Sequence, residues 1–236
     1  MGDGRPAGTL WPMTTVCTQL VIFDFDGVLC QAGSFTPDAI RDGLHAFGEL
    51  CGVNVPIPDE SVLLATLGYP SHQTYPPMLP ESVRARWPEM HQLTLDAMER
   101  RIRAMGRWGC LYEGVPALLD DLVAAGRTLA LASNCSARYQ AVHNEVHGLD
   151  RWFSFQWHAQ ADGIGSKADM LARILEDSSA LPSSVMVGDR LSDRNAAAAH
   201  GVPFVAAAYG FGSPEEWDGA VAVADSVAQL RAILGV

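Results

Sequence analysis

Leu20-Val21-Ile22-Phe23 is an unbroken run of large apolar residues that stops at two carboxylates, Asp24-Phe25-Asp26-Gly27. Such a run has no polar face, so it reads as a strand covered on both sides, the habit of parallel sheets sandwiched between helices. A carboxylate in such a core is costly unless it meets a metal, a partner or water. The two-residue period of a strand sends Asp24 and Asp26 to the same side, and Gly27 lets the backbone turn away. Open α/β sheets bind ligands at the C-terminal ends of their strands, and two close carboxylates there suit a hard divalent cation. Taken alone, Asp-x-Asp is also compatible with a solvated acidic turn, so the rest of the chain has to decide.

The pattern downstream of residue 113 alternates between helical and strand periods. Strands are predicted at Thr128–Ala132, Phe153–Trp157, Ser184–Gly188 and Pro203–Ala208, with a weaker one at Val221–Ala224. The helices between them (among them Ala137–His147, Lys167–Glu176 and Ser192–His200) several times end on glycine. This alternation predicts a parallel sheet with right-handed crossovers, a Rossmann-like α/β core. Asp24 and Ser133 are 109 positions apart, whereas a strand–helix–strand unit takes on the order of 30 residues. The surplus is helical: one helix from Thr36 to about Leu50, a short one near residues 60–67, and helical sequence over 81–107 broken or kinked at Pro88. The expected organisation is a leader over residues 1–18, a core of 19–33 plus 108–236, and a helical cap domain of 34–107. Inserted directly after the two aspartates, such a cap can exclude water and read substrate.

Composition narrows the function classes. The net charge of −11 disfavours nonspecific nucleic-acid binding. No apolar stretch is long enough for a spanning helix, and the first residues lack the pattern of a signal peptide, so no membrane role is expected. Met13 is a possible alternative start. The five cysteines are odd in number and show no CxxC spacing, which argues against a disulfide framework or zinc site and for a reducing cytoplasm.

Two further predicted strands end in polar groups, as the first does. One ends in Ser133-Asn134 and another in Gly188-Asp189, with Asp193 four residues on. Between them lies Gly165-Ser166-Lys167-Ala168-Asp169, where Ser166 and Asp169 can cap a helix that places Lys167 in its first turn. Lys167 is the only lysine beside fifteen arginines. A cation at a helix N-terminus opposes the helix dipole, which is explained if it must reach an anion that the same terminus attracts.

In order and spacing these segments resemble the haloacid dehalogenase superfamily of phosphatases, with Asp24-Phe25-Asp26-Gly27-Val28-Leu29, Ser133, Lys167 and Gly188-Asp189-Arg190-Leu191-Ser192-Asp193 matching its four motifs. The helical insertion is similar to that superfamily's C1 cap. Tyr112-Glu113-Gly114-Val115-Pro116, Gly68-Tyr69-Pro70 and Tyr209-Gly210-Phe211-Gly212 are similar to phosphoglycolate phosphatase-like members. The resemblance implies a Mg2+-dependent phosphatase of a small phosphorylated metabolite, with phosphoglycolate the leading candidate. It implies that Asp24 forms an aspartyl-phosphate while Asp26 protonates the leaving alcohol and then activates water. Gly27, Ser133, Asn134 and Lys167 would hold the phosphoryl group. Asp24, the main-chain carbonyl of Asp26, and Asp189 would hold the metal, with Asp193 in support. Cys135 stands where the family often has lysine. A sugar phosphomutase, or another phosphatase on the same scaffold, is the near alternative. A non-catalytic switch phosphorylated on Asp24 is the alternative from a different class. The chain would act as a monomer or homodimer.

Other features read blandly. Arg84, Arg86, Arg100, Arg101, Arg103 and Arg107 form a solvated helix face, with attraction of a phosphate ester as the alternative. His143, His147 and His158 show no metal-ligand spacing and read as surface or sheet-edge histidines. Cys30, near the predicted hinge, packs as a small apolar residue. Arg190 pairs with a carboxylate.

Overall fold

The computed structural model describes residues 15–16, 18–178 and 183–236. The expected leader and Met13 therefore lie mostly outside the described residues. Among the described residues, six strands form one parallel sheet in the order β3-β2-β1-β4-β5-β6. They are β1 (Leu20–Phe23), β2 (Thr128–Ser133), β3 (Phe153–His158), β4 (Ser184–Gly188), β5 (Phe204–Ala207) and β6 (Ala222–Ala224). The chain leaves β1 toward β2 and β3, then returns to β1's other side with β4. The order thus reverses beside β1, and Asp24 emerges at the switch point of the sheet.

Each residue of β1 serves one of two cores. Val21 and Phe23 pack with Leu129, Leu131, Val185 and Val187 on one face, against α5 (Val115–Ala124) and α9 (Val227–Leu234). Leu20 and Ile22 pack with Ala130, Ala132 and Met186 on the other, against α7 (Lys167–Asp177) and α8 (Leu191–Ala199). That two-sided burial is why β1 carries no polar residue before Asp24.

The insertion between β1 and β2 is helical: α1 (Thr36–Cys51), α2 (Glu60–Ala65), the single turn α3 (Ser71–Thr74) and α4 (Trp87–Met105). A 3-10 turn over Glu81–Arg86 precedes α4, so Pro88 starts the helix where its missing N–H costs little, and no kink is needed. α1 and α4 cross where Gly43 meets Thr94; a Cβ on Gly43 would lie 3.0 Å from the Thr94 amide nitrogen. The insertion has its own core of Ile40, Leu44, Phe47, Leu63 and Met90. Its opposite side, Ala39, Leu95, Met98 and Ile102, joins the main core beside α6 (Ala137–His147). The insertion is thereby seated over the C-terminal end of β1. No helix among the described residues is long and apolar enough to cross a membrane.

Candidate active site

Asp24 follows β1 and is 2% exposed. Its Oδ1 accepts a hydrogen bond from the Phe25 amide at 2.7 Å, and its Oδ2 lies 2.9 Å from Lys167 Nζ. Lys167 opens α7, whose N-cap Ser166 accepts from the Asp169 amide at 3.3 Å. Asp169 Oδ2 in turn accepts from the Ser166 hydroxyl at 2.9 Å and from the Gly165 amide at 3.0 Å. The capping expected from the sequence is formed, with its return bond one residue earlier. Lys167 Nζ also donates to Asp193 Oδ1 at 2.5 Å. Burial opposes the lysine's charge, but Asp193 and Asp24 outweigh it and hold its pKa above the ordinary lysine value.

Asp193 is fully enclosed. Its Oδ2 accepts from the Asp189 amide at 3.1 Å and the Arg190 amide at 2.9 Å, so both oxygens are committed and the side chain positions Lys167. Asp189, after β4, accepts from the Phe211 amide through Oδ2 at 2.6 Å, while its Oδ1 is buried without a hydrogen-bond partner. Carboxylate oxygens of Asp24, Asp189 and Asp193 lie within 4.8 Å of one another. Three buried carboxylates against one ammonium leave two uncompensated negative charges, which the low-dielectric interior does not tolerate. Burial, then Asp193 and Asp24, push Asp189 well above the usual carboxylate range. Burial likewise raises Asp24 to about 6 despite Lys167. An all-oxygen pocket with an orphaned oxygen and surplus negative charge has the chemistry of a site for a hard divalent cation.

Close packing shapes this pocket. Gly27 has φ +83°, and a Cβ there would strike the Asp189 carboxylate. A Cβ on Gly210 would lie 2.6 Å from Asp189 Oδ2. Only glycine lets the loop after β1 and the Tyr209–Gly212 loop approach Asp189 so closely.

Asp26 points elsewhere. Its side chain is not part of the carboxylate cluster; Oδ1 accepts from the Tyr139 hydroxyl at 2.8 Å. Burial and then the charge of Asp24 raise it to about 7. That is a carboxyl able to carry a proton near neutrality. A cavity of about 50 Å³ is lined by Asp24, Asp26, Ser133 and Asn134 with Gly68 and Tyr69 of the insertion. A second cavity of about 80 Å³ lies against Asp26, Tyr139, Thr36, Thr74, Tyr75 and His91. Asp26 therefore faces both.

The structure brings together every residue named from the sequence for this site. Lys167, Asp189 and Asp193 meet around Asp24, Asp26 lines the small cavity with Ser133 and Asn134, and Gly27 packs against Asp189. Tyr139 was not foreseen, since nothing local marks a helical tyrosine as a carboxylate partner. Arg190 was foreseen only as an ion pair. It does pair with Glu216 at 3.2 Å, but its guanidinium also lies 4.5 Å from the Tyr69 ring centroid and donates to the Leu67 carbonyl. With Asn134 Nδ2 donating to the Gly68 carbonyl at 3.0 Å, it ties the 67–69 loop over the site. Of the insertion's arginines, Arg86, Arg101 and Arg103 pair with Glu89, Asp42, Glu99 and Glu145 in partly exposed bridges, as a solvated face does.

Residues 21–207 match the haloacid dehalogenase-like hydrolase family. The chain belongs to that family. It is 33% identical over 227 residues to the tyrosine-protein kinase PtkA of Mycobacterium tuberculosis, covering 92% of this chain and 73% of the relative. It is 26% identical over 199 residues to a 5'-nucleotidase of Pseudomonas aeruginosa, covering 83% and 85%. The PtkA structure superposes with a TM-score of 0.73 at 32% identity, over 93% of this chain and 99% of that one. CbbY of Rhodobacter sphaeroides in complex with phosphate shares the fold, with a TM-score of 0.72 at 19% identity over 92% and 96%.

Proposed function

We propose that the chain is a Mg2+-dependent phosphatase of small phosphorylated metabolites, working through an aspartyl-phosphate on Asp24, with residues 34–107 as its cap. The observation that carries this reading is the placement of Asp26 between the two cavities. A phosphoryl group in the smaller one reaches Asp24, Ser133 and Asn134, and its leaving group in the larger one keeps its ester oxygen beside Asp26.

Asp24 attacks phosphorus through a carboxylate oxygen. The ester P–O bond breaks as Asp26 gives its proton to the departing oxygen. Asp26, now a carboxylate held by Tyr139, takes a proton from water, and the resulting hydroxide displaces Asp24 and frees phosphate. Ser133, the Asn134 amide and Lys167 receive phosphoryl oxygens, with Gly27 giving the backbone room to approach. Asp24, Asp189 and the Asp26 carbonyl would hold Mg2+, which when bound offsets the negative charge gathered between nucleophile and phosphoryl group. Asp193 keeps Lys167 in place.

The larger cavity speaks to the leaving group. Its lining carries hydroxyls of Thr36, Thr66, Ser71, Thr74 and Tyr75 and contains neither lysine nor arginine. His91, pulled down to about 4 by burial, is neutral there at physiological pH. A neutral polyol or sugar fits this lining better than the carboxylate of phosphoglycolate, which the resemblance makes the first substrate to assay. A phenolic leaving group is a second reading, favoured by the PtkA relationship and by the Tyr69, Tyr75 and Tyr139 rings on the wall. The free thiols of Cys30, Cys51, Cys110 and Cys135 suit a reducing, cytoplasmic setting.

The test is phosphate release with Mg2+ across phosphoglycolate, sugar and polyol phosphates, nucleotides and phosphotyrosine, with a tyrosine peptide plus ATP as a transfer control. Turnover of at least one monoester, lost in Asp24→Asn and in EDTA, is expected. Phosphate release undiminished in folded Asp24→Asn refutes the mechanism. Dependence on a bisphosphate primer points to a mutase.

A further inference from the structure

The sequence predicts no clustering of cysteine and histidine, and His143 and His147 as surface or sheet-edge residues. The structure overturns this. Cys30, Cys110, His143 and His147 are each 0% exposed and converge beneath the junction of insertion and core. His143 and His147 lie one turn apart on the same side of α6. Cys30 sits on the segment entering the insertion and Cys110 on the segment leaving it. These segments are tied where the Gln31 amide donates to the Cys110 carbonyl at 2.7 Å and the Tyr112 amide to the Leu29 carbonyl at 3.0 Å.

Ligand atoms of Cys30, Cys110 and His143 all lie within 4.8 Å of one another. Cys110 Sγ is 3.0 Å from His147 Nε2 and 3.9 Å from His143 Nδ1. In a tetrahedral site with zinc–sulfur bonds of about 2.3 Å and zinc–nitrogen bonds of about 2.05 Å, sulfur and nitrogen stand about 3.6 Å apart. The two observed separations bracket that value. His147 Nδ1 is hydrogen-bonded to the Arg107 carbonyl, so Nδ1 carries the proton and the Nε2 lone pair faces Cys110. An imidazole whose far N–H is anchored on a carbonyl is the usual setting of a metal-bound histidine. His143 Nε2 is buried without a hydrogen-bond partner, and Cys110 is the ring's hydrogen-bonding contact among the described residues. Hydrogen bonding alone therefore leaves one nitrogen of His143 unsatisfied.

We propose that Cys30, Cys110 and His143 form the core of a site for a borderline-soft divalent cation of the zinc class, bridging both hinge segments to α6, with His147 beside Cys110 as the candidate fourth ligand. The ligand set excludes Mg2+, which takes oxygen. The consequence reaches the active site: Tyr139, one turn before His143 on α6, packs its ring 4.4 Å from the His143 ring and donates to Asp26. A metal here holds the hinge and the Tyr139–Asp26 contact in one rigid unit. A CxxC search misses it because the four ligands come from three separate stretches of chain.

The test uses full-length protein stripped with EDTA, returned to excess Mg2+ to fill the carboxylate site, and titrated with Co2+. One equivalent binds with tetrahedral ligand-field and thiolate-to-cobalt charge-transfer absorption, and Zn2+ bleaches it. Cys110→Ser loses about half of the charge-transfer intensity, His147→Gln weakens uptake by at least about tenfold, and Asp189→Asn retains the full spectrum. Wild-type protein that shows no thiolate charge-transfer at one equivalent overturns the proposal, even if the variants fail to fold. So does an unchanged spectrum in Cys110→Ser, or a Cys30–Cys110 disulfide, seen by mass as the loss of two hydrogens, in protein that takes up no metal.

Discussion

Replacing Lys167 by arginine keeps the charge and tests whether its position matters. The ammonium nitrogen lies 2.9 Å from Asp24 Oδ2 and 2.5 Å from Asp193 Oδ1, so one atom serves both carboxylates. A guanidinium spreads its charge over a planar fork and cannot place a single nitrogen between two carboxylates arranged for a point charge. The site is 4% exposed, which leaves no room for the larger head to swing outward. The charge centre must shift by about an ångström, and a misplacement of that size costs on the order of 100-fold in rate, or about 2.7 kcal/mol of transition-state stabilisation. Overpacking adds a stability loss of about 1–3 kcal/mol. Lys167→Met separates charge from position: breaking the buried pair costs about 3–5 kcal/mol of stability, and activity falls further than in the arginine variant. The assay is steady-state phosphate release at saturating Mg2+, alongside thermal melts. An arginine variant within about threefold of wild-type kcat, a factor worth only about 0.7 kcal/mol, refutes the positional account.

Asp24→Asn leaves a folded protein without turnover or phosphoenzyme, as mass spectrometry during substrate addition reports. Tyr139→Phe removes one hydrogen bond from Asp26, worth about 1–1.5 kcal/mol, so kcat falls roughly tenfold with little change in KM; an unchanged kcat shows that Tyr139 does not orient the acid. Gly27→Ala forces a side chain to φ +83° and against Asp189; melts with and without Mg2+ register a loss of about 1–3 kcal/mol and a weaker response to the metal. His91 has its pKa lowered from 6.5 to about 4, because burial disfavours the imidazolium. Its unfolded form binds the proton first, so its contribution is intact above pH 6.5 and is lost as pH falls toward 4. The cost over that window reaches about 3 kcal/mol. Denaturant melts of His91→Gln lose that part of the acid sensitivity, and identical pH profiles for variant and wild type contradict it.

Sheet and catalytic motif were legible for one physical reason. A strand buried on both faces must be apolar throughout, so the first carboxylates after Phe23, Ser133 after Ala132 and Asp189 after Gly188 mark strand ends that the sheet then gathers on one edge. Lys167 stood out because a lysine at a helix N-terminus works against the local dipole, and a residue set against its local preference signals a distant partner. Pro88 marks a real break, where the 3-10 turn over Glu81–Arg86 gives way to α4, and a proline's tolerance at a helix start is why the sequence shows it.

What the sequence by itself determined is the parallel core, the helical insertion after Asp26 and the residues that meet around Asp24, since each rests on periodicity or on local electrostatics. Only the tertiary structure decided that Asp26 turns from the carboxylate cluster to Tyr139, that Gly27 and Gly210 close on Asp189, and that Cys30, Cys110, His143 and His147 converge under the hinge. These contacts join segments up to about two hundred residues apart, from Gly27 to Gly210. Local sequence carries no record of such pairings, because their energy exists only once the sheet and the insertion have brought the segments together.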